Sequence, residues 1–187
     1  MKIVLASQSP RRKELMGLFG LPFTVRVADI DESMDPYEDP RREVARVSRC
    51  KAQAVNRQAG EIVIAADTVV VCDGAVLGKP ANEEEAVKML CMLSGRTHEV
   101  MTGLTVLWDG GCKCGTEVTE VVFRDLDPEE IYRYVQTGEP MDKAGSYGIQ
   151  GGAALFVEAV MGDYYNVVGL PVCRLGQILK TITEEEV

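Results

Sequence analysis

One histidine, one tryptophan and no long apolar run are the first things to note in this 187-residue sequence. A single histidine makes a zinc cage hard to assemble from imidazole and thiolate ligands. A membrane helix needs roughly 18 to 20 consecutive apolar residues. No stretch comes near that, so a membrane is not an expected partner. The opening Met1 to Ala6 is only strand-length before the polar run Ser7-Gln8-Ser9-Pro10-Arg11-Arg12. That is too short for the apolar part of a secretion signal, and the expected compartment is the cytoplasm.

Positive charge is scarce as well. Twenty Lys and Arg stand against 29 Asp and Glu, a formal net charge of −9. The chain lacks the cationic footprint of a duplex binder and shows no basic-aromatic patch for single strands, so nucleic acid is not an expected partner. Local Arg and Lys clusters can still hold a small anion. There is no Walker loop, nucleophile elbow or paired Cys-His signature, which leaves covalent catalysis little support. Six cysteines stand at positions 50, 72, 91, 112, 114 and 173. Four lie in apolar or periodic segments, and Cys112 and Cys114 alternate along a strand or turn; a structural or neutral role is expected for all.

What is present is a globular composition, 46% apolar and 26% charged. That is enough for one large domain, or two lobes sharing a core, without disulfide or metal staples. Lys2 to Ala6 reads as a buried strand. A helix follows with Ser9 as its cap and Pro10 at its first position, presenting Leu15, Leu18 and Phe19 on one face and stopping at Gly20. Phe23, Val25 and Val27 alternate with polar residues as a half-exposed strand. A second helix runs from Asp39-Pro40 to about Gln58. Ile62 to Val71 is apolar enough to be central in a sheet, and Asp73-Gly74 marks a hairpin. Asn82 and Glu83 to Glu85 open a third helix, with Ala86, Met89, Leu90 and Leu93 facing inward and Gly95 at its end. His98 to Trp108 and Glu117 to Phe123 read as an antiparallel pair, and a short helix follows Asp127-Pro128. A hairpin is expected from Leu155 to Val160 and Tyr164 to Val168, turning at Gly162-Asp163. Val172, Leu175, Ile178 and Leu179 belong to a closing helix, and Glu184 to Val187 to a frayed tail. The pattern predicts an α/β fold with a mixed sheet flanked by helices.

Chemistry gathers at four places. In Ser7 to Arg12, hydroxyls, helix amides and two guanidiniums can cradle phosphate oxygens, or can simply cap a helix. Lys51 falls on a stripe with Val44, Val47 and Val55, where it can snorkel to solvent or point at phosphate. Asp67, at the end of Ile62-Val63-Ile64-Ala65-Ala66, can cap a turn, bind a divalent ion or activate water. Glu32 adds a loop carboxylate and Lys79 a cation beyond the hairpin. The run from Lys143 to Gly152 permits close backbone approach, and its Gln150 can read the edge of a base. His98, at the start of an apolar strand, reads as a hydrogen-bonded packing residue.

Taken in order, Ala6 to Arg12, Asp31-Glu32, Lys51, Ala66 to Val70, Gly78-Lys79-Pro80, Leu93 to His98, Pro140 to Gly151 and Gly162 to Pro171 resemble the Maf family of nucleotide pyrophosphatases, once called septum formation inhibitors. The matching segments span nearly the whole chain. The resemblance implies one Maf-like domain over 1–187, elongated, with two lobes around a cleft and similar to the inosine triphosphate pyrophosphatases. It implies cleavage of a nucleoside triphosphate between its α- and β-phosphates, dependent on a divalent cation (Mg, Mn or Co), by a homodimer. One branch of the family prefers dTTP and UTP, and this sequence resembles it in Arg11, Thr68 and Gln150. The branch that prefers 7-methyl-GTP typically has glutamine where Thr68 stands. On this resemblance Asp67 is the catalytic base and, with Glu32, the metal ligand. Ser7, Arg12, Lys51 and Lys79 bind phosphate, while Arg11, Thr68 and Gln150 select the base. Modified pyrimidine triphosphates, 7-methyl-GTP, and nucleotide binding without turnover in the control of cell division are the alternatives left open.

Overall fold

The computed structural model describes residues 2–185. Seven strands form one mixed sheet: β1 (Lys2–Leu5), β2 (Phe23–Val25), β3 (Glu61–Cys72), β4 (Ala75–Leu77), β5 (Thr97–Trp108), β6 (Gly111–Phe123) and β7 (Val157–Met161). Their order is β2-β1-β3-β5-β6-β7, with β4 paired to β3. β1 lies parallel to both β2 and β3, with Ile3 opposite Phe23 and Ile62. The β3–β4 and β6–β7 pairs are antiparallel. The helices are α1 (Pro10–Gly17), α2 (Pro40–Ala54), α3 (Glu83–Leu93), α4 (Pro128–Val135), α5 (Tyr164–Val168) and α6 (Val172–Glu185). The expected mixed α/β class stands.

Two compact units emerge. The first comprises Met1–Asp67, Thr102–Glu117 and Gly169–Val187; the second comprises Thr68–Met101 and Val118–Val168. The core of the first is built around β1 and β3, where Val4, Ala6 just after β1, Val63 and Ala65 pack with Ala52 of α2 and Val55 just beyond it. α2 lies so close to β5 that a Cβ at Gly103 would run into the Val44 carbonyl. Beside that contact the Ser48 and Thr105 hydroxyls bond at 2.7 Å. In the second unit α3 buries Ala86, Met89, Leu90 and Leu93, the face its spacing predicts. His98, Phe123 and Tyr147 form an edge-to-face aromatic cluster there.

Several boundaries differ from expectation. α1 ends at Gly17 and buries Leu15 and Met16, leaving Leu18 exposed. α2 stops at Ala54, because Val55 turns extended and is buried in the core. Tyr164–Val168 is a helix rather than the second arm of a hairpin. Asp163 Oδ1 accepts the Tyr165 amide at 2.8 Å, starting a turn, and Asn166 sends its side-chain amide to Val100 O and Thr119 Oγ1, both at 3.0 Å. Glu184 and Glu185 belong to α6; the rest of the expected tail, Glu186 and Val187, lies outside the described residues.

Candidate active site

Asp67 follows five apolar residues that are all buried, but it stands in the middle of β3 rather than at the end of an apolar strand, because the strand runs on through buried Val69 to Cys72. Asp67 itself is half-buried. A carboxylate there needs a donor or a cation to offset its lost hydration. Lys51 supplies it: its Nζ donates to Asp67 Oδ1 at 2.7 Å. The same ammonium stands 2.8 Å from Glu32 Oε2. The side chains of Lys51 and Asp67 are 12% and 15% exposed and that of Glu32 is 55% exposed, so two inner groups meet one reaching in from solvent. Lys51 therefore does not snorkel outward. The stripe that carries it buries Val44, Val47 and Val55, and the lysine continues that stripe toward the carboxylates.

Arg12 and Ser7 stand in the same unit. Pro10 opens α1 and Ser9 caps it, accepting the Arg12 amide at 3.5 Å. Ser7, buried, accepts both the Ser9 amide at 3.2 Å and Arg12 Nη1 at 3.3 Å. Arg12 Nε donates to the Gly169 carbonyl at 2.8 Å. Burial pulls the Arg12 guanidinium below its ordinary value, the Asp67 carboxylate pushes back, and neighbouring Arg11 lowers it further. A guanidinium aimed by the Gly169 carbonyl and the Ser7 hydroxyl has the charge and the planar donors that can meet a phosphate oxygen. The helix cap and the residues expected to cradle an anion thus belong to one local structure.

Thr68, Lys79 and Gln150 fall in the second unit. Lys79 and Gln150 are exposed and Thr68 is half-buried. What brings their segments near one another is Gly145. Its amide donates to Gly78 O at 3.0 Å, and a Cβ on it would lie 2.7 Å from Val70 Cγ2. Its φ of +67° adds a second reason for glycine. The loop beyond is braced from below. Tyr134 Oη donates to Glu139 Oε1 at 2.9 Å and accepts the Gly148 amide at 3.1 Å, while the Gly152 amide reaches Glu139 Oε2 at 3.0 Å. Lys143, at the head of the loop, is engaged with the Glu139 carbonyl and Asp142.

His98 is the packing residue its position predicts. Its Nε2 lies 2.8 Å from Tyr147 Oη, Nδ1 has no hydrogen-bond partner among the described residues, and burial drops its pKa to about 4. All six cysteines are free thiols.

Three features lay beyond the sequence reading: the Gly169 carbonyl behind Arg12, the Tyr134–Glu139 brace, and the Glu43–Arg46 pair on α2, whose carboxylate is buried and whose guanidinium is exposed. The last carried a signal, an acid and a base three residues apart on a helix. The others depend on contacts between distant segments.

A divalent cation was the expected cofactor. Among the described residues no three His, Cys, Asp or Glu side chains gather as a metal cage. Glu32 and Asp67 nevertheless offer two carboxylates converging on one ammonium. Such a donor set fits a hard ion that keeps water and takes its other ligands from phosphate, as Mg²⁺ does.

The family profile described as Maf-like protein matches residues 2–182. A Bacillus cereus (strain AH820) protein named dTTP/UTP pyrophosphatase is 49% identical over 180 residues, covering 96% of this chain and 94% of its own. A protein of the same name from Bacillus thuringiensis subsp. konkukian (strain 97-27) is also 49% identical, with the same coverage. Among solved structures, a HAM1 protein from Coxiella burnetii aligns with a TM-score of 0.54 at 17% identity, over 97% of this chain and 99% of that one. At that identity the likeness concerns the fold alone.

Proposed function

The chain belongs to the Maf-like family, and on that premise we propose that it hydrolyses dTTP and UTP between the α- and β-phosphates, releasing the nucleoside monophosphate and pyrophosphate. The names of its relatives support this substrate class. The observation that carries it is the pair of carboxylates, Asp67 and Glu32, meeting at the Lys51 ammonium.

In this reading Asp67 accepts the proton of the attacking water. Lys51 holds Oδ1 and so fixes the direction in which the carboxylate presents its lone pairs. The water oxygen bonds to the α-phosphorus, the bond to the bridging oxygen breaks, and pyrophosphate departs with the electron pair. Ser7, Arg12, Lys51 and Lys79 hold phosphate oxygens and oppose the charge that grows on the leaving group, where a fixed cation contributes most. Glu32 and Asp67 would hold the divalent ion, which when bound neutralises phosphate charge and makes water more acidic. Arg11, Thr68 and Gln150 select the base, because a polar reader rejects a base that leaves it unpaired more strongly than an apolar wall does.

Pyrophosphate release from a panel of triphosphates with Mg²⁺ or Mn²⁺ tests the proposal. The expected result is release from UTP and dTTP above that from purine triphosphates, 7-methyl-GTP included. A chain that binds UTP and releases nothing is a binder, and a preference for 7-methyl-GTP overturns the base assignment.

A further inference from the structure

No residue from Asp31 to Asp39 is buried, although Glu32 among them must reach Lys51. A segment without an apolar anchor is held by its polar ties. Those ties converge on one pair of side chains in the first turns of α2. Glu43 Oε1 accepts Arg46 Nε at 2.7 Å, and Oε2 accepts Arg46 Nη2 at 2.8 Å. Oε2 also accepts the Asp35 amide at 2.8 Å. Arg46 Nη2 in turn donates to the Ser33 carbonyl at 2.8 Å. The pair thus grips the loop at a carbonyl and at an amide two residues on. Asx turns at Asp31 and Asp35 stiffen the stretch between and beyond.

The Glu43 carboxylate is 7% exposed. Its partner Arg46 stays 44% exposed, and an acid–base pair three residues apart on a helix contributes only a few tenths of a kcal/mol, so helix stability alone gives little reason to bury the carboxylate. Spending its remaining hydrogen bonds on the loop backbone does. Glu32 adjoins the gripped Ser33, and Lys51 lies eight residues after Glu43 on the same helix, roughly 12 Å along its axis. One rigid element therefore carries both the clamp for the loop and the ammonium that Glu32 meets.

We propose that Glu43 and Arg46 are positioning residues that set the Glu32 carboxylate beside Asp67 for the divalent cation. This rests on the proposed function only in taking Glu32 as a ligand of that cation. Neither side chain touches substrate. Partners one step behind metal ligands typically alter metal affinity by about 10- to 100-fold when removed.

The test is Mn²⁺ binding, read from the loss of the free-ion electron paramagnetic resonance signal, with the α,β-imido analogue of UTP present. Wild type is compared with Glu32→Gln, Glu43→Gln, Arg46→Lys and the double variant Glu32→Gln/Glu43→Gln, each checked for folding by circular dichroism. The expected result is Mn²⁺ affinity weakened about 10-fold in Glu43→Gln and in Arg46→Lys, whose ammonium cannot span Glu43 and Ser33 together. Adding Glu43→Gln to Glu32→Gln should change nothing more, since the clamp acts through Glu32. If Glu32→Gln weakens binding while folded Glu43→Gln and Arg46→Lys bind as wild type does, the positioning role is rejected and the ligand assignment survives. An additive loss in the double variant rejects it too. Wild-type affinity in Glu32→Gln rejects the ligand assignment itself and this inference with it.

Discussion

Asp67 shows what a single residue contributes here. Its strand buries everything before it and delivers one carboxylate to one ammonium. Asp67→Asn keeps the shape and can still meet Lys51 through its carbonyl oxygen, but it accepts no proton from water. The expected outcome is a folded protein whose pyrophosphate release from UTP falls by roughly 10² to 10⁴. Unchanged turnover would remove Asp67 from the mechanism. At this scale much was legible in the sequence, because a charged residue closing an apolar run stands out. The roles of Lys51 and His98 separated on environment alone: both sit among apolar neighbours, yet one meets two carboxylates and the other a tyrosine hydroxyl. Nothing in the sequence pointed to the carbonyl of Gly169, since every residue has one whatever its side chain.

Among the elements, period and caps decided what could be read. α3 shows its acidic first turn, its Asn82 cap and its four inward residues in the sequence, and all are found in place. α5 was misread because Tyr164-Tyr165-Asn166-Val167-Val168 is rich in residues that favour strands. The Asp163 turn and the buried Asn166 amide overrode that local preference. Glycine was equally opaque in β5, where Gly103 looked like any residue of an apolar run. Gly103→Ala should cost about 1 to 3 kcal/mol, toward the upper end because helix backbone cannot yield as a side-chain tip would. Urea denaturation measures it, and a midpoint equal to wild type would mean that α2 can stand away from β5 without loss.

For the molecule as a whole, acid should act in two stages. His98 is held neutral in the folded state with a pKa of about 4, whereas an unfolded histidine binds its proton near 6.5. Between those values the unfolded chain carries the extra proton, so stability falls as pH falls, by about 1.4 kcal/mol per unit at most and on the order of 3 kcal/mol in all. Glu43 and Glu61 are held at about 2, chiefly by hydrogen bonds from Arg46 and Arg26. Their contribution is complete above the ordinary glutamate value and is lost only as pH drops from there toward 2. Thermal melts of His98→Gln, whose amide can still bond Tyr147, should therefore be flat from pH 6.5 to 5 while keeping the later decline. An unaltered first stage in that variant would place its origin elsewhere.

The bond from Arg12 to Gly169 joins residues 157 positions apart. A ribosome makes the arginine 157 residues before the glycine. A growing polypeptide therefore carries the Ser7–Arg12 loop without this tie until Gly169 has been added, and the guanidinium gains that constraint only then. If aim matters as much as charge, catalytic competence should appear only once Gly169 has been made rather than build up gradually with length.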